Sequence, residues 1–339
     1  MGEGWTRRSL IQGAAACAAT LLTGPALHAQ PIPRFNLAHG FSASHPIAIR
    51  LQEAAERIQA RAAGRLQMHV FPAGELGNDT MLLLEAQLGG LELAALPALE
   101  LESVALAALV TATGFAFTED EKRWESLDDG ALGSHIRDTL PAGGLTAFAK
   151  AFDGGFRNIT SFEKPITSPS LLEGFRIRTP IDQLRRSIFS SLGAVPLFIG
   201  LPETYTALEN RALDGQETPF ATMLEHKLFE VQRFCTLTRH SFECVWLVAN
   251  SSALQTLSPD LRAILDQEFA RAAELQRKDM IALFEEQKDV LVLTGMTFAE
   301  TDPAPFRDAL RERGYYKRWR EAFGAETWEK LEAATGPLA

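Results

Sequence analysis

Gly174-Phe175-Arg176-Ile177-Arg178-Thr179-Pro180 is the stretch that decides how this chain folds. It reads as a strand that carries two arginines and ends at a proline. Helical patterns follow at 181–192 and 202–210, and then comes Leu213-Asp214-Gly215-Gln216-Glu217-Thr218-Pro219. With a strand pattern at 145–152 before them, these elements alternate strand and helix, which predicts an α/β domain.

The preceding segment repeats that logic. Residues 34–38 read as a strand, and Ser44-His45-Pro46 supplies the cap and first turn of a helix carrying Leu51, Ala54, Ala55 and Ile58, which Gly64 stops. Leu66, Met68 and Val70 alternate with polar residues as a second strand. Phe71-Pro72-Ala73-Gly74 turns, Asn78 or Asp79 can cap a helix over 81–88, and Gly89-Gly90 ends it before a third strand at 91–95. Short connections between these elements predict parallel strands covered by helices on both faces. Downstream, 242–249 reads as a strand, and Ser258-Pro259-Asp260 starts a helical pattern running to Gly295. A helix of about 35 residues spans roughly 50 Å, enough to lie across two small lobes. Helical periodicity in 303–337 turns Trp319, Phe323, Trp328 and Leu331 inward, and Trp246 and Phe242 read as core.

The first 29 residues read as an export signal: Arg7 and Arg8, a small apolar run, the breaker pair Gly24-Pro25, and Ala29 as cleavage point. Thr6-Arg7-Arg8-Ser9-Leu10 also resembles a twin-arginine signal, although ordinary secretory signals share the basic pair. The net charge of −10 includes +1 from that leader, so the remainder carries −11. Such a balance argues against nucleic acid or an anionic membrane as partner. Cys235 and Cys244 could pair across neighbouring strands in an oxidising compartment or stay as buried thiols. No metal or cofactor is expected, since the histidines lack ligand spacing and there is no Cys-x-x-Cys.

Arg176-Ile177-Arg178-Thr179-Pro180 and the 213–219 segment together resemble the ligand-binding signature of the solute-binding subunits of TRAP transporters. The resemblance extends to Gly64-Arg65-Leu66, Phe71-Pro72, Glu75-Leu76-Gly77 and Leu237-Thr238-Arg239-His240, and it covers the chain from Arg34 to the C-terminus. It implies a periplasmic-binding-protein-like fold, two α/β lobes joined by crossing strands and a long helix. Lobe I is expected at 30–154 plus 244–283, lobe II at 155–243 plus 284–339, and the helix at about 259–293. It further implies a periplasmic protein that is not an enzyme, that captures a small organic acid and that passes it to membrane permease subunits.

Residue by residue, the resemblance places Arg178 on the ligand carboxylate, Arg157 as a second arginine, and Thr218 where the family usually has asparagine. The physics agrees for Arg178: a guanidinium presents parallel N–H donors matched to a carboxylate and stays charged when buried and paired. Glu217 is expected to pair with a pocket arginine rather than touch ligand. His39 follows the first strand, where such lobes line their cleft, although a lone histidine is more often structural. Leu96-Pro97, Ile181 and Leu201 make the expected walls apolar, favouring a monocarboxylate (2-oxo, 2-hydroxy or aromatic); a dicarboxylate requires Arg157 to take the second acid group. The rivals are an exported α/β hydrolase-like enzyme, against which stands the lack of a Gly-x-Ser-x-Gly elbow, and a binding protein serving another transporter or a signalling receptor.

Overall fold

The computed structural model describes residues 32–117 and 122–339. The expected export signal, with Cys17, lies outside them. Three parallel strands open the described chain: β1 (Arg34–His39) lies between β2 (Gln67–Phe71) and β3 (Leu93–Pro97). The links are helices α1 (Pro46–Ala62) and α2 (Asp79–Leu88). His45 caps α1 by accepting the Ile47 N–H through Nδ1 at 3.1 Å, with Pro46 opening the helix. Asn78 caps α2 by accepting the Met81 N–H at 2.9 Å. The third strand starts two residues later than its apolar run, because the N–H groups of Gly90 and Leu91 are spent on the Glu85 carbonyl that ends α2.

Helices α3 (Lys122–Asp128) and α4 (Ala131–Thr139) lead to the short β4 (Leu145–Ala147) and to β5 (Phe152–Ser161). A second parallel set follows, β6 (Arg176–Thr179) between β7 (Val195–Phe198) and β8 (Gly215–Thr218). It is connected through α5 (Gln183–Ser191) and α6 (Leu201–Glu209), and α7 (Phe220–Glu225) comes after it. The two sets are fused by antiparallel pairing of β5 with β8 and with β9 (Phe234–Asn250), while β9 also pairs β3, β4 and β10 (Thr297–Glu300). At 17 residues, β9 is twice the strand expected from its apolar end. Its first half mixes Phe234, Cys235 and Leu237 with polar residues, and it encloses Thr236, Thr238 and His240.

The sheet is therefore mixed, parallel at its two flanks and antiparallel where the flanks meet. After α8 (Ser251–Gln255), the 35-residue α9 (Pro259–Leu293) runs along both flanks. Leu261, Leu265, Phe269 and Ala272 on its first turns pack with Leu37, Leu51 and Leu247 under α1, and Leu291 near its far end packs with Phe220, Leu237 and Met296. The opposite sheet face carries Trp246, Phe242 and Ile177, against which Phe189 of α5 packs. It is closed by α10 (Ala304–Glu312), α11 (Tyr315–Phe323) and α12 (Ala325–Thr335), with Trp328 and Leu331 fully buried.

Cys235 and Cys244 sit nine positions apart on the same strand, both buried and both free. Nine residues of strand put their Cα atoms about 30 Å apart at roughly 3.3 Å per residue, beyond any disulfide. The expected neighbouring-strand geometry is thus corrected. Burial also raises both thiol pKa values, so thiol reagents should label neither residue in the native protein and both in denaturant. An unchanged mass on reduction will check the free state.

Candidate functional site

The strand registers fix where the two parallel sets converge. Strand β3 descends along β9 from Ala249 to Val245, and its next N–H, from Ala98, donates to the Cys244 carbonyl at 2.8 Å. Strand β8 climbs beside β5 from Ser161 to Asn158, where β5 has passed Phe234, Cys235 and Thr236 of β9 and reaches Ser241 at Arg157. The C-terminal ends of both sets therefore meet over residues 241–244 of β9. In open α/β sheets, ligand crevices lie outside those strand ends.

Arg178 occupies the third position of β6, hydrogen-bonded on both sides by β7 and β8, with Leu197 and Gln216 as register partners. Its side chain is 5% exposed, and its Nε donates to the Ile199 carbonyl at 2.8 Å. Among the described residues, neither terminal amine has a hydrogen-bond partner. Burial lowers its proton affinity, Glu217 opposes that and Arg157 adds to it, but a guanidinium remains charged. The result is a buried, fixed cation with unspent donors. Beside it, the hydroxyls of Thr179 and Thr218 are buried and unpartnered.

Arg157 is placed differently. Its Nε and Nη2 donate to the two Glu217 carboxylate oxygens at 2.6 and 3.0 Å, Nη2 also reaches the Glu217 carbonyl, and Nη1 lies 3.3 Å from Glu243. Glu217 is fully buried; burial pushes its carboxyl up, but the Arg157 charge and the hydrogen bonds from His240 and Arg157 hold it at about 2. His240 lies 3.0 Å away through Nε2, and burial depresses its pKa. An ionised carboxylate only accepts, so the neutral imidazole carries its proton on Nε2, and Nδ1 accepts from the Thr238 hydroxyl at 2.9 Å. Arg185 completes the group, donating to Asp182, Glu243 and Ser241. Sequence reasoning missed Asp182, Arg185 and Glu243 because nothing local sets them apart from surface charges.

The other expected residues scatter around this centre. Pro97 ends β3 half-buried opposite Val245, Leu201 opens α6 half-buried, and Ile181 stands 78% exposed just past β6. Leu96 belongs to the core. His39 ends β1 fully buried beside Phe41, among the described residues neither ring nitrogen has a well-formed hydrogen bond, and burial, partly offset by the Phe41 backbone, lowers its pKa to about 4. No hydrogen bond joins it to Arg178. On the same side, Asp79 at the start of α2 lies against Gly40 and leaves Oδ1 buried and unpartnered. A groove of about 800 Å³ runs between α9 and β5 and holds none of these residues. Its Arg277 is spent on both oxygens of Asp128 and on the Trp124 face.

Residues 37–321 match the model of bacterial extracellular solute-binding protein, family 7. A solute-binding protein of Roseobacter denitrificans is 30% identical over 305 residues, covering 89% of this chain and 92% of its own. The 2,3-diketo-L-gulonate-binding periplasmic protein of Escherichia coli is 28% identical over 259 residues, 75% of this chain and 77% of its own. The crystal structure of a TRAP periplasmic solute-binding protein from Ochrobactrum anthropi, its C-terminus bound in the ligand-binding pocket, superposes with a TM-score of 0.85 at 29% identity over 90% of this chain and 96% of that one. In the present chain the C-terminus is held elsewhere, with Leu338 buried and its carbonyl accepting from Arg311. With its two α/β flanks, crossing strands and long shared helix, the chain belongs to bacterial extracellular solute-binding protein family 7, the solute-binding subunits of TRAP transporters, which are binding proteins and not enzymes.

Proposed function

We propose that this protein captures a small organic acid in the periplasm by pairing its carboxylate with Arg178, and that it hands the acid to the membrane permease subunits of a TRAP transporter. The observation that carries this reading is the Arg178 guanidinium, nine-tenths buried where the two strand sets converge, with both terminal amines unspent. Held on a rigid, largely buried side chain, these donors are poised for a carboxylate arriving from solution, which satisfies both at once. The name of the Escherichia coli relative, which binds a sugar-derived keto acid in the periplasm, supports the ligand class and the compartment.

The lobes are taken as 30–154 plus 244–283 and 155–243 plus 284–339. Closure of one on the other supplies contacts available only in the bound state, which is what shifts an open–closed equilibrium. Thr218 offers its free hydroxyl as a second contact, Pro97 and Leu201 contribute apolar wall, Ile181 forms the lip, and His39 closes the floor on the lobe I side. Arg157 acts by holding Glu217 beside Arg178. Titration calorimetry over a panel of 2-oxo, 2-hydroxy, aromatic and sugar acids tests the reading. Saturable one-to-one binding of at least one monocarboxylate is expected, and a panel without any carboxylate ligand would overturn it.

A further inference from the structure

From the charges gathered where the two strand sets converge, we infer that the captured acid also carries a cationic nitrogen. The preferred ligands are then zwitterionic amino acids, whose ammonium group Glu243 receives while Arg178 holds the carboxylate. This rests on the Arg178 reading above and names a second group of the same ligand. A charge balance and an unspent oxygen carry it independently.

The balance comes first. Among the described residues, the centre gathers three buried arginines, Arg157, Arg178 and Arg185. Three carboxylates stand against them, Asp182, Glu217 and Glu243. His240 is fully buried, and burial depresses its pKa below the ordinary 6.5, so it adds no charge at neutral pH. The unliganded centre is therefore neutral. A plain carboxylate would leave it with one uncompensated negative charge in a largely desolvated setting, which is unfavourable. A zwitterion leaves the sum at zero.

The oxygen is on Glu243. Its Oε2 accepts from Arg185 Nη2 at 2.9 Å and from Arg157 Nη1 at 3.3 Å. Its Oε1 takes no hydrogen bond from the described residues and stays open to solvent on a side chain that is 14% exposed. The residue stands between the two strand sets. On one side Arg157 joins it to Arg178, whose guanidinium feels the Arg157 charge. On the other its own charge reaches a carboxylate of the first set, Asp79, so no cation meets it there. No hydrogen bond links Arg178 with Glu243, and a ligand that touches both lies between them.

An ionised carboxylate only accepts, so Oε1 selects a donor. A protonated amine bonds it with charge assistance, roughly twice as strongly as a hydroxyl does. The same acceptor repels a second acid group. With a fixed guanidinium at one end and a half-spent carboxylate at the other, the crevice matches a ligand that carries both signs.

The test sets amine against hydroxyl on a shared skeleton: alanine with lactate, β-alanine with 3-hydroxypropionate, 4-aminobutyrate with 4-hydroxybutyrate, and phenylalanine with 3-phenyllactate. Calorimetry at about pH 7, where the amines are protonated and the acids ionised, gives affinities for the wild type, Glu243→Gln, Glu243→Asp and Arg178→Ala. In at least one pair the wild type should bind the amine tenfold or more tighter than the hydroxyl. Glu243→Gln keeps the shape without the charge and should shrink that preference at least fivefold. Glu243→Asp keeps the charge and should retain its direction. Melting curves show whether each variant is folded.

Equal or tighter binding of the hydroxyl member in every pair overturns the inference, whether or not Glu243→Gln folds. So does an amine preference that a folded Glu243→Gln leaves untouched, or a wild type that binds no amine in the panel. Arg178→Ala separates the two readings. If it loses binding in these cases, the carboxylate contact stands and only the role of Glu243 falls. If it binds as the wild type does, the carboxylate reading falls and takes this one with it.

Discussion

Arg178→Ala should weaken binding of the cognate acid by about thirtyfold or more while leaving the melting temperature within a few degrees of wild type. The two halves of that expectation have separate causes. Truncating one partner of a desolvated, hydrogen-bonded charge pair costs about 2–5 kcal/mol of binding, and 1.4 kcal/mol is a factor of ten. In the unliganded fold, by contrast, Arg178 gives up a single protein hydrogen bond, from Nε to the Ile199 carbonyl, worth about 1 kcal/mol. Arg178→Lys should recover part of the affinity only, since an ammonium supplies the charge without the planar fork. Calorimetry gives the affinity and thermal melting the stability. Wild-type affinity in Arg178→Ala would remove the foundation of the proposed function.

Glu217→Ala should be the opposite kind of variant, costly to the fold before it is costly to binding. Its carboxylate is fully buried and takes hydrogen bonds from Arg157 and His240; removing it strands a buried guanidinium, a loss of about 3–5 kcal/mol. Urea unfolding measures this directly. Glu217→Gln, which keeps the shape and one acceptor, should fall between.

The same group sets an acid limit. Glu217 and His240 both have folded pKa values below their ordinary ones of 4.5 and 6.5, so the unfolded chain binds their protons more tightly. Their stabilisation is complete above about pH 6.5 and is lost as the pH falls, the His240 share first and the Glu217 share between about 4.5 and 2. Glu217→Ala should flatten the second part of that acid limb, and an unchanged limb would show that the carboxylate is not what stabilises the centre.

Much of the scaffold can be read locally, because its signals are local. The His45-Pro46 start of α1, the Asn78 cap of α2 and the full length of α9 follow from residues within a turn or two of each boundary. The inward set Trp319, Phe323, Trp328 and Leu331 follows from the 3.6-residue period, and all four are buried. Arg178 could be singled out because its strand, its following proline and the family signature coincide in a few residues.

What the order of residues determined by itself was therefore the menu of strands and helices, their caps, and one arginine poised at a strand end. Only the tertiary structure decided which charges neutralise one another and which remain for a ligand. Arg157 and Glu217 are 60 positions apart, and Arg185 and Glu243 58. The physical reason is that pairing and burial are properties of neighbours in space. Strand β9, whose first half encloses Thr236, Thr238, His240 and Ser241 and which carries two cysteines that cannot meet, is a strand because β5 lies beside it along most of its length.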